Sequence, residues 1–149
     1  MKKEVIFIQG AGEGAYKEDS KLAASLEREL GADYRLNYPQ MPNENVPDYD
    51  VWWPEIRKEI TGSNKQIILV GHSIGGYILL KYLCEKNVPD NAIIGICLIA
   101  APYPSGDENW EFEGFALPDN IDTKLPEGSR VFLYQSPDDQ IVPFAYCHW

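Results

Sequence analysis

Ile67-Ile68-Leu69-Val70-Gly71-His72-Ser73-Ile74-Gly75-Gly76 is the stretch on which the fold of this chain turns. Its first four residues are apolar and mostly β-branched. The run is too short for a helix and fits a strand buried on both faces. After Ser73, apolar residues recur at Ile74, Ile78, Leu79, Tyr82 and Leu83, which is the spacing of a helix over 74–85. Strand and helix therefore meet at Ser73, and the pattern G-x-S-x-G at that junction has a steric reason. A serine presented clear of a sheet on so tight a turn brings backbone against the positions two before and two after it. Only Gly71 and Gly75, which lack a Cβ, leave room there. The helix opening at Ile74 also aims free N–H groups and its positive dipole end at the same place, which suits a developing oxyanion. Ser73 is the candidate nucleophile; the plainer alternative is a glycine-rich strand–helix turn without chemistry.

The same alternation extends in both directions. Residues 5–8 form a short apolar run of β-formers. Residues 16–30 carry Leu22, Leu26 and Leu30 on one helical stripe with charges opposite, and Gly31 closes that helix. A weaker strand is expected at 34–38, then a loop marked by Pro39, Pro42 and Pro47. Asp48 or Asp50 caps a helix running to about Ile60, and Gly62 stops it. Further strands are expected at 93–99 and 131–134. Strands alternating with helices imply βαβ units, hence a three-layer α/β fold with a doubly wound parallel sheet. The stretch 101–128 fits neither period; it carries Tyr103, Trp110, Phe112 and Phe115 and reads as a long excursion over the sheet edge. No repeat or linker interrupts the chain, so its 149 residues are expected to form one domain.

Composition narrows the classes of partner. With 13 basic and 23 acidic residues the formal net charge is -10, so nucleic acid and anionic membrane, which need a basic footprint, are not expected as partners. The start has no apolar core long enough for a signal peptide, and no segment approaches a membrane span; the expected location is cytoplasmic. Cys84, Cys97 and Cys147 are not spaced as a metal or redox pair, and the first two read as buried thiols. Two histidines and dispersed carboxylates give no metal-ligand spacing, so neither metal nor cofactor is expected.

Around the 71–75 turn the chain resembles the α/β-hydrolase superfamily, in particular its small lidless bacterial members, over nearly its whole length. Two more motifs carry the resemblance. Gln9-Gly10-Ala11-Gly12, after the first strand, resembles the family's oxyanion loop, with Gln9 where a histidine is usual. Ser136-Pro137-Asp138-Asp139-Gln140-Ile141-Val142-Pro143, after the fifth strand, resembles its acid loop. The resemblance implies strand order 2-1-3-4-5, with Ser73 at the switch point between strands one and three, where open α/β sheets place ligands. It also implies an oxyanion hole from the N–H groups of Ala11 and Ile74, Asp139 as the acid, and an esterase acting on small carboxylic esters or thioesters. Trp52, Trp53 and the aromatics of 103–115 could wall an acyl pocket, though core packing is the simpler reading.

A Ser-His-Asp site needs an imidazole to carry the serine proton. His72 precedes the nucleophile and is expected to point away from its hydroxyl. In the family the catalytic histidine follows one further strand beyond the acid, and that strand, its loop and the last helix are expected to be missing here. Three readings stand: a chain without a base, a histidine supplied by a partner chain, or His148 folding back to Asp139. Without a sixth strand, 131–134 would be an unpaired apolar edge and a template for homo-oligomers. Two rival functions remain. One is a catalytically dead hydrolase-fold binding protein. The other is a dinucleotide-binding module, because Gly10, Gly12 and Ala15 satisfy G-x-G-x-x-[GA] after a strand.

Overall fold

The computed structural model describes residues 2–63, 66–86, 88, 93–101, 124–126 and 130–134. Along the chain run β1 (Lys3–Ile8), α1 (Ala15–Leu30), β2 (Tyr34–Asn37), α2 (Tyr49–Thr61), β3 (Ile67–His72), α3 (Ile74–Glu85), β4 (Ile93–Ile99) and β5 (Arg130–Tyr134). All pairings are parallel and the strand order is β2-β1-β3-β4-β5, the expected one. The excursion over 101–128 lies almost wholly outside the described residues.

Side-chain alternation along the central strands divides the core in two. From β1, Ile6 and Ile8 point to the face covered by α2 and α3, where Trp52, Ile56, Ile60, Ile78 and Leu79 complete the larger cluster. Val5 and Phe7 point to the opposite face, where α1 lays Ala23, Leu26 and Leu30 against Val70, Ile68 and Ile99. A strand buried on both faces must be apolar at every position, which explains why 5–8 and 67–70 read as unbroken runs.

Helix limits follow local chemistry. Asp48 holds extended backbone and its carboxylate accepts the Asp50 N–H at 2.9 Å, capping α2; Gly62 closes it through Lys58 O. Gly31 ends α1 at φ 76, donating to Glu27 O. On α1 the expected stripe is rotated: Leu22 is exposed, and the buried positions are Asp19 and Ala23. The helix turned a carboxylate inward in place of a leucine, because Asp19 finds hydrogen-bond donors there.

Trp52 is fully buried and donates from Nε1 to Pro42 O at 2.7 Å, and Trp53 stacks on Tyr82 with Lys86 over its ring. Both tryptophans belong to the core and its rim. Cys84 and Cys97 are free and half-buried rather than buried. Burial raises both thiols, Cys84 to about 11 with Glu85 adding to it, so both stay protonated at neutral pH.

Candidate active site

The parallel register sets Ile8 beside Gly71, so the loop leaving β1 and the turn leaving β3 emerge side by side at the carboxyl ends of neighbouring strands. The chain winds outward both ways from this pair, making it the topological switch point. Ser73 sits there at φ 53, ψ -128, a conformation that costs a non-glycine residue about 1–3 kcal/mol. Its N–H extends the ladder to Ile99 O at 2.9 Å, and its carbonyl accepts from Gly76 and Tyr77 as α3 begins.

The glycines on either side of it leave no room for a side chain. A Cβ on Gly75 would lie 1.9 Å from Gln9 O, and one on Gly71 would lie 2.4 Å from Gly76 Cα. The N-terminus of α3 is thus pressed against the backbone of Gln9. A Cβ on Gly10 would lie 3.4 Å from Ser73 Cβ, which places the β1–α1 loop directly beside the serine. Among the described residues, neither the Ile74 N–H nor the Ala11 N–H meets a hydrogen-bond acceptor.

The β1–α1 loop is fixed by side chains that local sequence patterns do not reveal. Gln9 is fully buried: Nε2 donates to Gly10 O at 3.1 Å and to Glu44 Oε2 at 3.1 Å, while Oε1 accepts Met41 N–H at 2.7 Å. Holding the Gly10 carbonyl orients the next peptide plane, and with that peptide trans the Ala11 N–H points the opposite way. Gln9 thus satisfies three hydrogen-bonding positions where the family's histidine would stand. Tyr16 and Tyr38 stack at 4.4 Å and each hydroxyl donates to the other's carbonyl oxygen, tying the first turn of α1 to the end of β2.

Glu44, from the β2–α2 loop, is the second anchor. Its carboxylate accepts Gly14 N–H at 3.0 Å and Tyr16 N–H at 2.9 Å, and its own carbonyl accepts Gly12 N–H at 2.7 Å. The Tyr16 N–H, then the Gln9 amide and the Gly14 N–H, hold this carboxyl below its usual range. A group with a depressed folded pKa stabilises the fold above its unfolded value, about 4.3, and that contribution disappears as pH falls through the lower folded value. Glu44→Gln should therefore lower the urea midpoint at neutral pH, and the gap to wild type should shrink below about pH 4. A gap that widened on acidification would contradict this assignment.

The Nδ1 of His72 lies 2.9 Å from Asp19 Oδ2. Asp139 and His148 lie outside the described residues, as does Cys147. No group of three His, Cys, Asp or Glu suited to a metal occurs among the described residues. No described helix is long and apolar enough to cross a membrane.

Sheet order, two-sided core and the strand–serine–helix turn at the switch point define an α/β-hydrolase fold. The profile of the serine hydrolase family matches residues 17–148, and the chain belongs to that family. Among solved structures, the ydeN gene product of B. subtilis superposes with TM-score 0.70 at 21% identity, over 99% of this chain and 77% of that one. A lipase/esterase from Lactobacillus plantarum does so with TM-score 0.65 at 16% identity, over 97% of this chain and 71% of that one. A ydeN-like hydrolase from Pectobacterium atrosepticum gives TM-score 0.61 at 18% identity, over 97% and 68%. At such identities the likeness speaks for the fold. A search of curated proteins returned no match.

Proposed function

We propose that this chain is a cytoplasmic serine hydrolase that cleaves small carboxylic esters or thioesters through an acyl-enzyme on Ser73. The observation that carries the reading is Ser73 itself, held in a costly conformation at the switch point, with the Ala11 and Ile74 N–H groups unengaged among the described residues. Strain of this kind persists only where the surrounding structure over-determines it, and it clusters at working sites. In the proposed mechanism a histidine held by Asp139 takes the Ser73 proton as the hydroxyl oxygen attacks the acyl carbon. The oxyanion rests on the Ala11 and Ile74 N–H groups. The histidine then protonates the leaving group, and water resolves the acyl-enzyme. We assign the role of that histidine to His148, supplied by this chain or by a partner chain. Turnover of short p-nitrophenyl esters, lost in Ser73→Ala, tests the reading.

The dinucleotide reading has a specific observation against it. The seat for a pyrophosphate at the N-terminus of α1 is filled by the Glu44 carboxylate, bonded to the Gly14 and Tyr16 N–H groups.

Self-association belongs to the same proposal. Phe132, Leu133 and Tyr134 are exposed on β5, and among the described residues that strand pairs on one side only, with β4. A second copy added at this edge would cover an apolar strand that otherwise invites aggregation. Sedimentation velocity at micromolar concentration should show a dimer or larger species; a monomer would contradict it.

A further inference from the structure

We infer that Asp19 is a positioning residue, clamping the loop that carries the Ala11 N–H to the turn that carries Ser73. The inference rests on the acyl-enzyme reading of Ser73 and goes beyond it. Asp19 lies on α1 between Glu18 and Ser20, in a helical stretch that otherwise offers its charges to water. Its residue is only 8% exposed, and a carboxylate so placed is costly unless its oxygens are used. One oxygen, Oδ2, meets two groups: it accepts the Gly10 N–H at 2.7 Å and stands 2.9 Å from His72 Nδ1.

Those two partners are the residues immediately before Ala11 and before Ser73. Gly10 is squeezed among the same atoms, since a Cβ there would lie 3.2 Å from His72 Nδ1, 3.4 Å from Asp19 Oδ2 and 3.4 Å from Ser73 Cβ. The peptide planes on either side of Gly10 are therefore both pinned, one by Asp19 at its N–H and the next by Gln9 at its carbonyl. The distance between the Ala11 N–H and the serine is set by side chains that touch neither substrate nor the reacting atoms. Charge-assisted bonds of this length are among the stronger ones available to a backbone amide. Oxyanion donors matter most when they are preorganised, because nothing then has to move as charge develops.

A clamp of this kind should act on the transition state and leave ground-state binding alone. The test is the rate of acylation by a fluorophosphonate, resolved into kinact and KI, for wild type, Asp19→Asn and Asp19→Ala, with circular dichroism confirming the fold of each. Asp19→Ala should lose about 10²-fold in kinact, the cost of a displacement on the order of 1 Å, with KI unchanged. Asp19→Asn keeps the shape and one good acceptor and should fall between the two; should Asp19→Ala not fold, it decides alone. Unchanged kinact in the variants, or a loss confined to KI, would overturn the inference while leaving Ser73 as the nucleophile. A folded wild type that does not react at all would overturn the acyl-enzyme reading, and the inference with it.

Discussion

Gly75→Ala should abolish the soluble native fold, or destabilise it by about 4 kcal/mol or more. The new methyl carbon would lie 1.9 Å from Gln9 O, with Gln9 C at 2.8 Å and Ile8 O at 3.0 Å behind it. These are backbone atoms of the interior strand β1 and of the loop leaving it, so no side chain can rotate away. Relief requires α3 to retreat from β1, and α3 is buried along nearly its whole length. Overpacking against yielding side chains costs about 1–3 kcal/mol; here the backbone of an interior strand has to move. A total stability of roughly 5–15 kcal/mol leaves little reserve. Gly14→Ala is the contrasting case. It has φ 76 and nothing within 4 Å of an added Cβ, so only the left-handed backbone penalty of about 1–2 kcal/mol applies. Urea unfolding of the two variants side by side checks the account. A Gly75→Ala protein as stable as Gly14→Ala would mean that α3 does not sit against Gln9.

Ser73→Ala should cut ester turnover to a small residue while leaving the fold in place. In serine hydrolases the loss of the nucleophile costs on the order of 10⁶ in kcat, and roughly 10³–10⁴ over water persists from the oxyanion hole and binding. Among the described residues the thiols offer no replacement, since burial keeps Cys84 and Cys97 protonated at neutral pH. Alanine keeps the φ 53 strain of this position, so the unfolding midpoint should stay near that of wild type. Loss of turnover with an unmoved midpoint is the expected pair of results. Turnover undiminished in Ser73→Ala would place the chemistry elsewhere.

Much of the architecture was legible in the sequence because the decisive signals are local. The run 67–70, the glycines at 71 and 75 and the apolar period from Ile74 fix strand, turn and helix within a single window, and α3 spans Ile74–Glu85 as read. The caps at Asp48 and Gly62 are equally local. Side chains that act across long separations in sequence were not legible. Asp19 meets His72 and Glu44 meets Gln9, pairs 53 and 35 residues apart, and each carboxylate read locally is one more solvated charge on an acidic chain. The rotation of α1 that exposes Leu22 and buries Asp19 is set by those partners, and hydrophobic spacing within the helix cannot report it. Gln9 illustrates the same limit. As a replacement for a histidine it looked like a departure from the family pattern, and only its three bonds to Gly10, Glu44 and Met41 reveal a structural duty.

The central claim is that Ser73 is a nucleophile activated by a histidine. Intact-mass analysis after fluorophosphonate treatment of the folded chain and its Ser73→Ala variant tests it most directly. The account predicts one adduct per chain on the wild type and none on the variant. A folded wild-type protein that stays unlabelled, or a Ser73→Ala variant that is labelled as readily, would contradict it.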